Sequence, residues 1–149
     1  LTRYGHGNET PFAEFNFWQD PEAAAVVFAS GVRLSVVGLD VTNDPSGSLD
    51  ASDLERLRNG ASPCARLAAD LVDFAFRRQP LFAMHDPLAL AALLDRSLFT
   101  FATGEASIDA GDGQQRGRTT LRRGKAGSSV AIAVKALVFC SAPTPARAP

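Results

Sequence analysis

The stretch DPEAAAVVFASGVRLSVVGLDVT, Asp20 to Thr42, decides how the rest of the chain is read. Asp20 offers a side-chain cap, Pro21 suits a first helical position, and Glu22 favours the positive end of a helix dipole. The pattern predicts a helix from Pro21 to Ser30, stopped by Gly31. That helix is apolar nearly all round, so it is expected to be covered on more than one side. Arg33 to Thr42 then reads as one short buried strand rich in Val and Leu. Helix followed by buried strand is half of an αβ repeat, which predicts an α/β fold with a sheet flanked by helices.

Downstream, NDPSGSLDA (Asn43–Ala51) is a loop by composition. Ser52 to Glu55 matches a capping box, and Gly60 closes the short helix behind it. Ser62-Pro63 opens another helix, whose apolar set includes Leu67, Leu71, Phe74 and Ala75. MHDPLALAALLDR (Met84–Arg96) predicts a further helix with Asp86 as cap and Pro87 in the first turn. From Leu98 the period changes. LFTFATGEASI, QQRGRTTLRR and SSVAIAV read as strands separated by glycine turns. Residues 1–140 are read as one domain, and the Pro/Ala-rich 141–149 as a disordered tail.

The bulk numbers narrow the classes. The chain has 149 residues, 46% of them hydrophobic and 21% charged, and a formal net charge of −1. That is a globular composition of single-domain size. Basic residues gather after Asp112, but no aromatics interleave to stack on bases, so a solvated hairpin face is expected and no nucleic-acid partner. No apolar run approaches the roughly 18–20 residues that span a bilayer, so no membrane partner is expected. No leader peptide is visible, which points to the cytoplasm. Cys64 and Cys140 fall in no metal spacing and read as buried or partly buried thiols.

Upstream of the helix, GHGNETPFAEFNFW (Gly5–Trp18) is rich in carboxamides and carboxylates. Asn8, Glu14 and Asn16 fit no core pattern. Asparagine both donates and accepts, and a carboxylate accepts, so the set matches vicinal sugar hydroxyls. Such loops also satisfy their own backbone, and both uses stay open. Asp86 has the same two options: helix cap, or ligand for a metal or hydroxyl. His85 beside it is one of two histidines, with His6. It reads as structural or as a proton donor to a leaving group.

Taken together, GNETPFAEFNFWQDPEAA (Gly7–Ala24), VVGLDVT (Val36–Thr42), HDPLALAA (His85–Ala92) and RGRTTL (Arg116–Leu121) resemble the inosine-uridine preferring nucleoside hydrolases. The resemblance implies the C-terminal half of an open, mostly parallel Rossmann-like sheet with a β-hairpin region near the C-terminus. It implies a calcium-dependent hydrolase that cuts the N-glycosidic bond of purine and pyrimidine ribonucleosides. Asn8 and Glu14 would hold the ribose 5′-hydroxyl region and Asn16 the other hydroxyls. Asp86 would bind calcium and the sugar, and His85 would protonate the departing base.

The family's N-terminal Asp-x-Asp cluster, which supplies most calcium ligands and the general base, is not in this sequence. The expectation is therefore a hydrolase portion that turns over nucleosides when an N-terminal half is supplied. The alternative is a catalytically inactive remnant that binds a ligand or oligomerises. A nucleoside, a complementing N-terminal half and a second copy of the chain are the expected partners.

Overall fold

The computed structural model describes residues 2–4, 7–124 and 130–136. Its strands and helices, in chain order, are β1 (Thr2–Tyr4), α1 (Phe15–Gln19), α2 (Pro21–Ala29), β2 (Leu34–Val36), α3 (Leu39–Thr42), β3 (Ser48–Leu49) and α4 (Ala51–Arg58). They continue with α5 (Pro63–Phe76), β4 (Phe82–Ala83), α6 (His85–Leu94), β5 (Phe99–Ile108), β6 (Thr119–Arg123) and β7 (Val130–Ala136). The tail at 141–149, His6 and Cys140 lie outside the described residues.

The α/β reading holds. Five strands form one sheet in the order β1-β6-β5-β7-β2, and β3 pairs with β4 apart from it. Among the described residues, β2 and β7 form the parallel pair, with Val36 opposite Ile132. The other contacts in the large sheet, β1–β6, β5–β6 and β5–β7, are antiparallel. The hairpin region expected near the C-terminus is β5–β6, joined through Asp109–Arg118.

The helix α2 begins as its sequence predicts: the Asp20 carboxylate accepts from the Ala23 N–H, and Pro21 is buried at the first turn. It is not covered on several sides, because Val26 and Val27 are exposed at 70% and 49%. The predicted strand 33–42 is broken in two. Gly38 turns the chain, and its carbonyl accepts from the N–H groups of Val41 and Thr42. The second half of the run is therefore a helix, α3, which buries Val41 and Thr42.

Three further expectations change in detail. The capping box of α4 is built by Asp50 and Asp53, with both reciprocal bonds present, and not by Ser52 and Glu55. Helix α5 is capped by Ser62 as predicted, but it buries Ala69 and Val72. Leu67, Leu71 and Phe74 face outward, because the inward side meets Leu54 of α4 and the half-buried Leu57, Phe76 and Phe82. Helix α6 starts one residue before Asp86, with Met84 in the cap position and no side-chain cap bond. Cys64 is exposed, not buried.

One core cluster joins α3, α6 and the sheet: Val41, Leu88, Ala92, Phe99 and Ala133 are all buried. Leu88 is fully covered. This packing brings the first turn of α6 against Thr42, the last residue of α3, and α3 itself starts three residues after the C-terminal end of β2. In open α/β sheets that end is where ligands bind.

Candidate functional site

Local structure shapes the polar loop first. Gly7 passes so close to the backbone of Thr10 and Ala13 that a Cβ there would sit 1.9 Å from the Thr10 carbonyl oxygen. The Thr10 hydroxyl accepts from the N–H groups of Phe12 and Ala13, and Ala13 is buried. The chain then enters α1, where Glu14 is the N-cap. Its Oε2 accepts from the Asn16 and Phe17 N–H groups at 3.0 and 3.3 Å. Its Oε1 accepts from the Asn16 side-chain amide at 3.1 Å. Asn8 Oδ1 accepts from the Phe15 N–H at 2.9 Å. The loop thus satisfies its own backbone, and in doing so it fixes Asn8 and Asn16.

A second set of contacts holds α1 from behind. Gly117 has φ of +80°, and a Cβ there would meet Trp18 Cα at 2.7 Å. Phe17 packs against Phe28 of α2, with ring centroids 5.9 Å apart. Arg116 donates to both Glu22 oxygens at 2.8 and 2.9 Å and to the Ala110 carbonyl. Chiefly through that hydrogen bond, Arg116 holds the Glu22 carboxyl below its usual range. Hairpin, α1 and α2 are therefore tied together.

The opposite wall comes from α3 and α6. The first turn of α6 carries His85 and Asp86. His85 Nδ1 lies 2.8 Å from Thr42 Oγ1, and Thr42 is only 2% exposed. The Asp86 carboxylate has no hydrogen bond or ion pair among the described residues. Its carboxylate sits in the first turn of a helix, where a negative charge is favoured.

Between these walls lies a cleft of about 480 Å³. Every residue singled out from the sequence lines it: Asn8, Glu14, Asn16, His85 and Asp86. Thr42 and Gly38 join them, with Val36, Val37 and Phe17 as apolar wall. The volume is within the range usual for small-molecule sites, about 300–1,000 Å³. Neither Trp18 nor the Phe82–Met84 segment is part of the wall. Thr42 escaped the sequence reading because it ends an apolar run that looked like strand. A hydroxyl closing that run is the one signal that marks it.

The residues present do not by themselves fit a calcium ion, which gathers six to eight oxygens as a rule. No group of three His, Cys, Asp or Glu side chains able to hold a metal occurs among the described residues. Of the two carboxylates on the cleft, Glu14 is engaged in capping α1 and Asp86 is not.

The cleft thus lies at the end of β2 on an α/β domain, and two carboxamides, two carboxylates and an imidazole share its wall with apolar side chains. The family model described as inosine-uridine preferring nucleoside hydrolase matches residues 2–139, and the chain belongs to that family. It is 43% identical over 102 residues to the pyrimidine-specific ribonucleoside hydrolase RihA of Shewanella sp. (strain ANA-3), covering 64% of this chain and 31% of that protein. It is 37% identical over 126 residues to RihA of Shewanella woodyi, covering 80% of this chain and 40% of the relative.

Among solved structures, it superposes on a purine-preferring ribonucleoside hydrolase from Gardnerella vaginalis with TM-score 0.73 and 31% identity, over 89% of this chain and 44% of that one. A plant nucleoside hydrolase gives TM-score 0.71 and 30% identity, over 88% and 45%. The chain therefore spans less than half the length of these relatives.

Proposed function

We propose that this chain supplies the ribose-binding loop and the base-protonating wall of a ribonucleoside hydrolase. The observation that carries the reading is that Asn8, Glu14, Asn16, His85 and Asp86 line one cleft although the first and last of them lie 78 positions apart in the sequence. Cutting the C1′–N bond builds positive charge on the ribose ring, as in other glycoside cleavages. Asn8 and Asn16 hold ribose hydroxyls, and Glu14 keeps Asn16 in place. Asp86 accepts from a hydroxyl close to the developing charge. The base leaves badly as an anion, and His85 on the facing wall gives it a proton.

For calcium, Asp86 offers one carboxylate, and the other oxygens would come from outside the described residues. The same shortage favours a second reading, a binding module without turnover.

Both readings meet one experiment. Inosine and uridine are given to the chain in calcium, alone and with the N-terminal portion of a relative, and ribose release and nucleoside binding are followed. Turnover that needs the added portion, and that chelation or Asp86→Ala abolishes, supports the hydrolase. Binding without turnover in every combination leaves the module. Neither binding nor turnover overturns both.

A further inference from the structure

We infer that Thr42 is a positioning residue for His85: its hydroxyl donates to Nδ1, which leaves the ring proton on Nε2 at the cleft. The functional meaning rests on the reading of His85 as the donor to the departing base; the tautomer itself does not.

The argument starts from hydrogen-bond supply. A threonine hydroxyl has one proton to give. Thr42 is 2% exposed, so bulk water does not receive that proton. A helical threonine often donates to the carbonyl four residues back. Here that carbonyl, on Gly38, already accepts from the N–H groups of Val41 and Thr42. Among the described residues the hydroxyl has one partner, His85 Nδ1 at 2.8 Å. A buried donor takes the acceptor within reach, and no buried side-chain polar atom among the described residues lacks a partner.

The alternative tautomer fares worse at both ends. With the proton on Nδ1, the ring would donate to Thr42 and the threonine proton would be left without an acceptor. Nε2 would then offer only a lone pair to the cleft. The choice of tautomer therefore decides whether the ring gives a hydrogen to a ligand or takes one. Thr42 holds this position because Gly38 turns the chain and Val41, 1% exposed, anchors α3 to the core. A threonine in a helix has two favoured rotamers, and the one present puts the hydroxyl 2.8 Å from the ring.

The test is the ring nitrogen spectrum of His85 in the 15N-labelled chain, with the ring neutral and assigned by loss of its signals in His85→Gln. The expected pattern is a protonated-type Nε2 and a bare, acceptor-type Nδ1. Thr42→Val, of the same shape without the hydroxyl, should give a mixture of tautomers, and Thr42→Ser should keep the single form. A protonated Nδ1 in the unaltered chain overturns the inference, and so does an unchanged pattern in Thr42→Val. If Thr42→Val does not fold, the unaltered chain and Thr42→Ser still decide.

In the assembled enzyme, Thr42→Val should lower kcat by about tenfold or more with KM little changed, part of the roughly 10²–10⁴ a placed general acid supplies. Should the tautomer be as inferred while His85→Gln leaves kcat intact, the hydroxyl's role stands and the reading of His85 as proton donor falls.

Discussion

Glu14 shows that one residue can serve folding and binding together. Its carboxylate caps α1 through two backbone N–H groups and holds the Asn16 amide. Glu14→Ala should therefore cost stability and affinity at once. Loss of an N-cap costs about 1 kcal/mol. Chemical denaturation should show a decrease of that order, and nucleoside titration should weaken because Asn16 is released. Weaker binding with unchanged stability would mean that Glu14 touches the ligand and caps nothing. At this scale the sequence was legible where residue types were unusual for their setting. Asn8, Glu14, Asn16, His85 and Asp86 stood out as polar groups in or beside apolar runs, and the cleft gathers all of them. Thr42 did not stand out, since its partner lies 43 residues away and only the fold brings them together.

At the scale of elements, the buttress behind α1 rests on Gly117. Its left-handed backbone, φ +80°, and its approach to Trp18 Cα both exclude a side chain. Gly117→Ala should cost on the order of 1–3 kcal/mol of strain. It should also displace α1, so that amide shifts change across Phe15–Gln19 and nucleoside binding weakens. Gly31 is the control: its φ is +77°, but a Cβ there would meet no heavy atom within 4 Å. Gly31→Ala should lower Tm by strain alone and leave binding intact. If both variants behave alike, close packing at Gly117 plays no part. Helix starts were readable in part, because caps are local: Asp20 and Ser62 do what their positions suggest, whereas α4 is capped by Asp50 and α6 starts one residue before Asp86. Inward faces were not. The apolar spacing of Leu67, Leu71 and Phe74 promised a buried stripe, yet α5 lays Ala69 and Val72 against α4. Periodicity names a helix but not the side its neighbours occupy.

For the whole molecule, packing and charge both act over long sequence separations. Leu88, on α6 three residues after His85, is fully buried in the cluster that joins this helix to Val41 of α3 and to Phe99 and Ala133 of the sheet. Leu88→Ala should cost about 2–5 kcal/mol, read as a lower denaturation midpoint. Strand order could not be read from the sequence, because β1 and β6 come from opposite ends of the chain. The Glu22–Arg116 pair is the charged counterpart, joining α2 to the hairpin across 94 residues. Arg116 lowers the Glu22 pKa from its ordinary value of 4.5. A carboxyl whose folded pKa is depressed adds stability that is whole above the unfolded value and is lost as pH falls through the folded one. Acid should therefore weaken the tie between α2 and the hairpin below pH 4.5. Asp50 and Asp95 are depressed by their own serine hydrogen bonds and add a slope of the same sign. Glu22→Gln should keep that shared slope and lose only its own part. In melting curves from about pH 6 to pH 3, the unaltered chain should fall more steeply than the variant. The difference should shrink in high salt, since the pair is exposed. Parallel curves would show that the pair orders the hairpin without stabilising the fold.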